Sequence, residues 1–300
     1  MARRALPSLL MAMALAVLSA IPAAAQVRPD ATVLRVGVVA GYNQAYVSAR
    51  AEPFRRYLAD ALGTDVQLIA ATDLEALVAA QIGGTVHAAF LSATVFAGAS
   101  AACNGCIEPL VVPVGPGGQP GYHAVLVAAS GGVVRTLRDL PGRRLAVSAG
   151  DSIAGRLLPL SLFADEGIAL DTVTLVDRLG PADALAALVA GEADAALAWS
   201  TLTGDAADGY DGGTLAQLVA AGLLDMSQVA LIWTSPLIPY GPLAVRADLA
   251  EGLKTALRDA MLDLDGNPDA LAAIDREFGN GYEAATPEMF APLTAIAAGG

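Results

Sequence analysis

Cysteine, histidine and lysine are nearly missing from this chain of 300 residues, which carries two Cys, two His and a single Lys, Lys254. With the two cysteines read below as a local disulfide, His87 and His123 alone fall short of the four ligands of a zinc site, so no metal and no cofactor is read from the sequence. Aromatic residues make up 5% of positions and charged residues 16%, against 55% hydrophobic. A chain that apolar has ample surface to bury and is not disordered. Beyond residue 25 no apolar run reaches the ~18–20 residues of a membrane span, which excludes a multispan protein and stable insertion of the mature chain. Signatures of common active sites are also missing. There is no Gly-x-Ser-x-Gly elbow and no Walker sequence, and Gly37 and Gly41 do not complete a dinucleotide fingerprint. The chain therefore reads as a non-enzyme.

What is present is acid. The formal net charge is −13. Loss of residues 1–25 would remove Arg3 and Arg4, leaving 15 basic against 30 acidic residues and a net charge of −15. Such a field repels nucleic acid and anionic lipid. It does not forbid a small anion held by local donors in a cleft. Arg3 and Arg4, the apolar run Leu9 to Ile21 and Ala23-Ala24-Ala25 read as a secretory signal peptide, residues 1–25, and so imply the periplasm; the alternative is an anchor. In that oxidising compartment Cys103-Asn104-Gly105-Cys106 reads as a local disulfide across a tight turn, a redox pair being the alternative.

Apolar runs and helical spacings alternate along the chain. Strands are expected at Val33 to Val39, Asp65 to Ala70, His87 to Leu91 and Glu108 to Val114, with helices at Pro53 to Leu62 and Leu74 to Gln81 and a helix opening at Ser92. A hairpin-like turn, Gly115 to Gly121, leads to a strand at Tyr122 to Ala129. A second set follows: strands at Leu145 to Ser148, Thr172 to Val176, Ala193 to Ala198 and Val229 to Ser235, and helices at Ile153 to Glu166 and Pro181 to Ala190. Two helical stretches, Leu249 to Asp263 and Pro268 to Phe278, close the reading. The helix–Gly turn–strand run Ala79 to Phe90 returns in kind at Leu188 to Leu197, about one lobe later. The expected architecture is α/β: a two-lobed clamshell, each lobe a mostly parallel sheet flanked by helices. Lobe one is residues 32–121 and 236–300, lobe two residues 122–235, with hinge crossovers near 122–129 and 233–246. A single doubly wound sheet is the alternative.

Several stretches carry a resemblance. Val33 to Val39 followed by Pro53-Phe54-Arg55-Arg56-Tyr57-Leu58 resembles the opening of periplasmic solute-binding proteins. Pro120 to Val127 and Leu137-Arg138-Asp139-Leu140-Pro141-Gly142-Arg143-Arg144-Leu145-Ala146 resemble a crossover strand and the start of a second lobe. The most specific is Ile232-Trp233-Thr234-Ser235-Pro236-Leu237-Ile238-Pro239, with Pro242 and Arg246-Ala247-Asp248-Leu249. Together they are similar to the phosphate/phosphite/phosphonate-binding family of ABC importer periplasmic solute-binding proteins, which have the type II periplasmic binding protein fold. The resemblance implies a monomeric binding component that delivers a small anion, a phosphonate, phosphite or related oxyanion, to ABC permease and ATPase subunits. The alternative is a ligand-sensing partner of a membrane receptor or sensor kinase with a non-phosphonate ligand. An enzyme on this fold would need a catalytic Cys or His in the cleft.

The family's Ser-Thr-Ser-Gly anion turn is matched here by Ser152-Ile153-Ala154-Gly155, which keeps one hydroxyl and the backbone donors of a helix start. Tyrosines common in the family are replaced by Leu74 and Leu91, and a His by Gly180. The carboxylates that hold a ligand amine in aminophosphonate binders are replaced by Thr201 and Gly241, so 2-aminoethylphosphonate is a poor fit. The remaining candidates sit near strand C-terminal ends, where open α/β sheets bind ligands. They are Tyr42, Ser92, Thr94, Ser148, Trp199, Ser200 and Tyr240, with Ser92 and Thr94 expected to face Ser152 across the cleft. Ser92, Thr94 and Ser152 are also natural helix caps, and Trp199 and Tyr240 also suit a core. His87 and His123 read as structural.

Overall fold

Runs of β-branched and other apolar residues bounded by Gly, Asp or Pro become strands, and Ala/Leu-rich runs behind a capping residue become helices. A computed structural model describes residues 33–41, 43–275 and 278–299. Residues 1–25 and Tyr42 lie outside them. The chain opens with β1 (Val33–Val39), α1 (Gln44–Arg50), α2 (Glu52–Leu62), β2 (Asp65–Ala71), α3 (Leu74–Ile82), β3 (Ala88–Phe90), α4 (Ala93–Ala102) and β4 (Ile107–Pro113). It continues with β5 (Gly121–Ala129), β6 (Arg144–Ser148), α5 (Leu158–Asp165), β7 (Thr174–Arg178), α6 (Pro181–Val189), β8 (Ala195–Ser200), α7 (Thr214–Ala220) and β9 (Val229–Thr234). The last elements are β10 (Ile238–Pro239), β11 (Leu243–Arg246), α8 (Glu251–Leu262), α9 (Pro268–Ile274), β12 (Tyr282–Ala284) and α10 (Ala291–Gly299).

The strands form two sheets. The first has the order β12-β4-β11-β3-β1-β2; the second has β10-β5-β8-β6-β7, with β9 also paired to β5. The expectation of mostly parallel sheets is corrected. β1 is parallel to β2 and β3, and β6 to β7 and β8. The strands next to the crossovers, β5 and β11, run antiparallel to their neighbours. A strand arriving from the other sheet is not bound to the direction that a local helix crossover imposes. The Gly115 to Gly121 turn is not a hairpin either, because β4 and β5 belong to different sheets.

Separate apolar clusters cover the sheets. Leu34, Phe54, Leu58, Leu110, Leu257 and Met261 fill one face of the first sheet. Leu126, Leu140, Leu145, Phe163 and Leu197 fill one face of the second. A third cluster joins both halves, with Leu77, Phe96 and Phe290 alongside Ala124, Ala154 and Leu158. Its keystone is α10, which packs on α4 and α5; Phe290 meets Phe96 edge-on at 4.7 Å. The sequence reading missed α1, α7, β12 and α10. Among the described residues no helix is long and apolar enough to cross a membrane. Cys103, at the end of α4, is bonded to Cys106. The turn between them places Asn104 and Gly105 at positive φ, 54° and 77°.

Candidate functional site

β6 ends at Ser148 and the chain turns back at Ser152, whose Oγ accepts the N–H of Gly155 at 3.2 Å. The next five residues, Ile153–Leu157, form a π-type turn that runs into α5. The N–H groups of such a first turn have no carbonyl of their own helix to donate to, and the helix dipole adds positive potential there. Gly155 is required: a Cβ at that position would collide with the hydroxyls of Ser148 and Ser152. The Ser148 hydroxyl is buried, the residue being 1% exposed, and has no hydrogen-bond partner among the described residues.

Ser152, Ile153 and Ala154 lie on a cleft of about 680 Å³ that is walled by residues of both sheets. From the first sheet come Phe90, Pro113 and Tyr282; from the second come Tyr122, Trp199 and the following Thr201. The crossover contributes Tyr240 and Gly241. A Cβ at Gly241 would collide with the carbonyl of Leu91, so the crossover lies tight against the chain leaving β3. No side chain, and hence no carboxylate, fits at position 241 without moving backbone.

The rings form a ladder. Tyr122 stands 5.1 Å from Trp199 and 5.8 Å from Tyr240, and Tyr240 stands 4.4 Å from Phe278. Tyr282 pairs with Phe90 at 6.4 Å. Asp275 follows α9 and is 8% exposed; its carboxylate accepts the N–H groups of Phe278 at 3.0 Å and Gly279 at 3.1 Å. Burial, and then the Asp275 charge, push the Tyr282 phenol up from its ordinary value. Burial alone pushes Tyr122 up. Both phenols therefore stay neutral donors at physiological pH.

Of the residues singled out in the sequence, Ser152, Ile153, Ala154, Trp199 and Tyr240 share this cleft. Ser92 and Thr94 do not line it, which corrects the expectation that they face Ser152. Both are exposed; Ser92 Oγ accepts the Val95 N–H at 3.3 Å and lies 3.4 Å from Thr94 Oγ1. Their local role as a helix start is intact, but the start opens elsewhere. Ser148 and Ser200 are buried and do not line the cleft. Ser200 Oγ accepts the Leu202 N–H at 3.1 Å and donates to the Gly212 carbonyl at 3.5 Å. Tyr42 lies outside the described residues.

The histidines and cysteines are not among the residues lining the cleft. His123 donates Nδ1–H to the Ser235 carbonyl at 2.8 Å. His87 faces the Arg35 N–H at Nδ1, 3.2 Å, and the Arg35 guanidinium at Nε2, 2.9 Å. The sequence reading missed Phe90, Tyr122, Phe278, Tyr282 and Asp275. Their one signal was scarcity, since aromatic residues are only 5% of the chain.

Two mixed sheets flanked by helices, joined by crossover strands and sharing a ligand-sized cleft, define a clamshell of the type II periplasmic binding protein class. The fold agrees with that of XAC2383 from Xanthomonas citri, solved bound to ATP, at a TM-score of 0.58 and 17% identity, covering 90% of this chain and 97% of that one. Within the class the assignment is specific. Residues 36–290 match the family described as ABC transporter, phosphonate, periplasmic substrate-binding protein, and the chain belongs to that family. It is 23% identical over 269 residues to the phosphonates-binding periplasmic protein of Escherichia coli strain K12, covering 88% of this chain and 75% of that protein. It is 26% identical over 212 residues to the phosphate-import protein PhnD of Mycolicibacterium smegmatis, covering 68% of this chain and 63% of that protein.

Proposed function

We propose that this substrate-binding protein captures a phosphonate or a related oxyanion between its lobes, with the helix start at Ser152 as the anion seat. The reading rests on one observation: Ser152, the cap of the helical turn, and Ile153 and Ala154, its first residues, line the cleft. Backbone donors and a dipole end suit an anion in a chain whose overall charge is negative, because screening confines the unfavourable long-range field to about 8–10 Å. The relatives named above are described as binding phosphonates and importing phosphate, which supports the same ligand class. In this reading residues 1–25 direct export to the periplasm, and residues 32–121 with 236–300 close on residues 122–235 about the crossovers near 122–129 and 233–246. The closed form then docks on a permease that an ATPase drives.

A thermal-shift series with methylphosphonate, phosphite, phosphate and sulfate tests it. A ligand of the folded state at 100-fold excess over Kd adds about 2.7 kcal/mol. At least one of these anions is expected to raise Tm on that scale. If none does while a neutral or purely cationic compound does, the anion seat is wrong.

A further inference from the structure

The two sides of the cleft offer different chemistry. The side from the second sheet holds the Ser152 seat, with its helix start and its hydroxyl. The opposite side is formed by Phe90, Pro113, Ile274, Asp275, Phe278 and Tyr282, from the first sheet and the chain around α9. The only side-chain donor among these six is the Tyr282 phenol, since a carboxylate only accepts. Their backbone adds little. Pro113 has no N–H; the N–H of Asp275 is bonded to the Leu271 carbonyl at 2.8 Å and that of Phe278 to the Asp275 carboxylate at 3.0 Å. None of the described lining residues is Arg, Lys or His. A bare oxyanion enclosed by both sides would therefore turn oxygens toward carbon and a carboxylate, and buried acceptors need donors.

We propose that the ligand is an organophosphonate with an apolar body of several carbons, its head at Ser152 and its body against Phe90, Pro113, Ile274 and Phe278. For the head alone this rests on the anion seat proposed above. Phe90, Pro113, Ile274, Phe278 and Tyr282 are half-buried, so each keeps surface outside the core, and carbon that covers them leaves water as they do. The six lining rings, Phe90, Tyr122, Trp199, Tyr240, Phe278 and Tyr282, come from a chain with only six Phe, seven Tyr and two Trp, so its scarce aromatic bulk is gathered at this cleft. Volume points the same way. At ~30 Å³ per water in the liquid, 680 Å³ is room for about twenty waters, several times what one oxyanion head fills. Phosphate, phosphite and methylphosphonate engage the seat alone and so bind more weakly than a ligand that also covers the opposite wall. A polar body has few partners here: Thr201 Oγ1 already donates to the Gly212 carbonyl at 3.4 Å, and position 241 has no room for a side chain. Asp275 is the acceptor that such a body would seek.

Calorimetric titration of the full mature protein with methylphosphonate, propylphosphonate and 2-hydroxyethylphosphonate tests this. Propylphosphonate has two more methylenes than methylphosphonate, about 15-fold in Kd if both are fully buried. It has the length of 2-hydroxyethylphosphonate with a methyl in place of the hydroxyl. Propylphosphonate is expected to bind at least about fivefold tighter than either. A smaller gain over methylphosphonate means that the wall takes no body; a smaller gain over 2-hydroxyethylphosphonate means that polar partners such as Asp275 govern. Either result overturns the apolar body and leaves the anion seat standing, because a phosphonate still binds. If none of the three binds, the seat and the body both fail. Ile274→Thr is expected to cut the advantage of propylphosphonate over methylphosphonate at least about threefold. If that variant does not fold, Phe278→Ser is expected to do the same. An advantage that a folded variant leaves unchanged puts the body elsewhere and overturns the assignment.

Discussion

The two lobes solve one structural problem with different chemistry. In each, a helix ends at a Gly turn and the chain enters a strand beside an arginine of the neighbouring strand. In the first lobe the His87 N–H donates to the Arg35 carbonyl at 2.9 Å, and the Arg35 N–H returns to His87 Nδ1. In the second the Asp194 N–H donates to the Arg144 carbonyl at 2.9 Å, and the Arg144 N–H returns to Asp194 Oδ2, also at 2.9 Å. Each guanidinium reaches the Gly turn: Arg35 donates to the Gly84 and Thr85 carbonyls, Arg144 to the Gly191 carbonyl. The strands so anchored, β3 and β8, carry Phe90 and Trp199 to the cleft. The helix starts that follow β3 in the first lobe and β6 in the second differ as well. Ser92 and Ser152 both accept the N–H of the residue three places on, but that residue is Val95 in one lobe and Gly155 in the other. An anchoring device can be copied between lobes; the placement of a binding group cannot.

The sharpest way to break the parallel is Gly155→Ala. The added methyl collides with the hydroxyls of Ser148 and Ser152 and with the Ser148 Cβ, and overpacking of this kind costs about 1–3 kcal/mol. Urea unfolding should show that loss together with a vanished ligand-induced shift, whereas Val95→Ala should leave the ligand response intact. A Gly155→Ala protein as stable as wild type would mean that the turn relaxes freely.

A paired substitution has a smaller effect and separates the two roles of serine. Ser92→Ala and Ser152→Ala should each cost about 1 kcal/mol of ligand-free stability through the lost cap. Only Ser152→Ala should also reduce the ligand-induced shift in Tm. Equal ligand responses in the two variants would remove Ser152 from the site.

The smallest effect is a difference in pH dependence. Burial, then the charges of Arg35 and Arg246, hold the His87 imidazole below its ordinary value of 6.5, with Asp248 opposing. The folded state thus favours neutral His87, so its contribution is complete above 6.5 and is lost as pH falls below that value. Hydrogen bonds from Arg144 hold Asp194 below its ordinary 3.8, so its contribution persists until the pH falls below the carboxylate range. The stability of wild type relative to His87→Gln should therefore decline between pH 7.5 and 5, and relative to Asp194→Asn should stay level. Both are read from urea midpoints; a level His87 difference would show that its neighbours impose no protonation preference.

Much of this was legible because it is local. The repeated helix–Gly turn–strand runs, the Asn104-Gly105 turn and the Ser152 helix start are set by neighbours a few residues apart. The clamshell class was legible through motifs spread along nearly the whole chain. The pairing directions at the crossovers were not. β5 and β11 take their sense from a chain arriving out of the other sheet, which no window of sequence contains. α10 was missed for a related reason: its Ala-rich run has little one-sided apolar pattern, and its place is set by packing on α4 and α5.

The candidate site divides the same way. That Ser152 and Ser92 would start helices follows from a hydroxyl that can satisfy an open N–H, and the sequence alone determined it. Which of the two would meet a ligand was decided by the tertiary structure, because the cleft is defined by how the lobes face each other. The six rings and Asp275 are scattered from residue 90 to residue 282, each an ordinary core or loop residue in its own segment. Only the return of β10, β11 and β12 across the crossover brings them around one cavity, since burial and ring contact depend on distance in space and not along the chain.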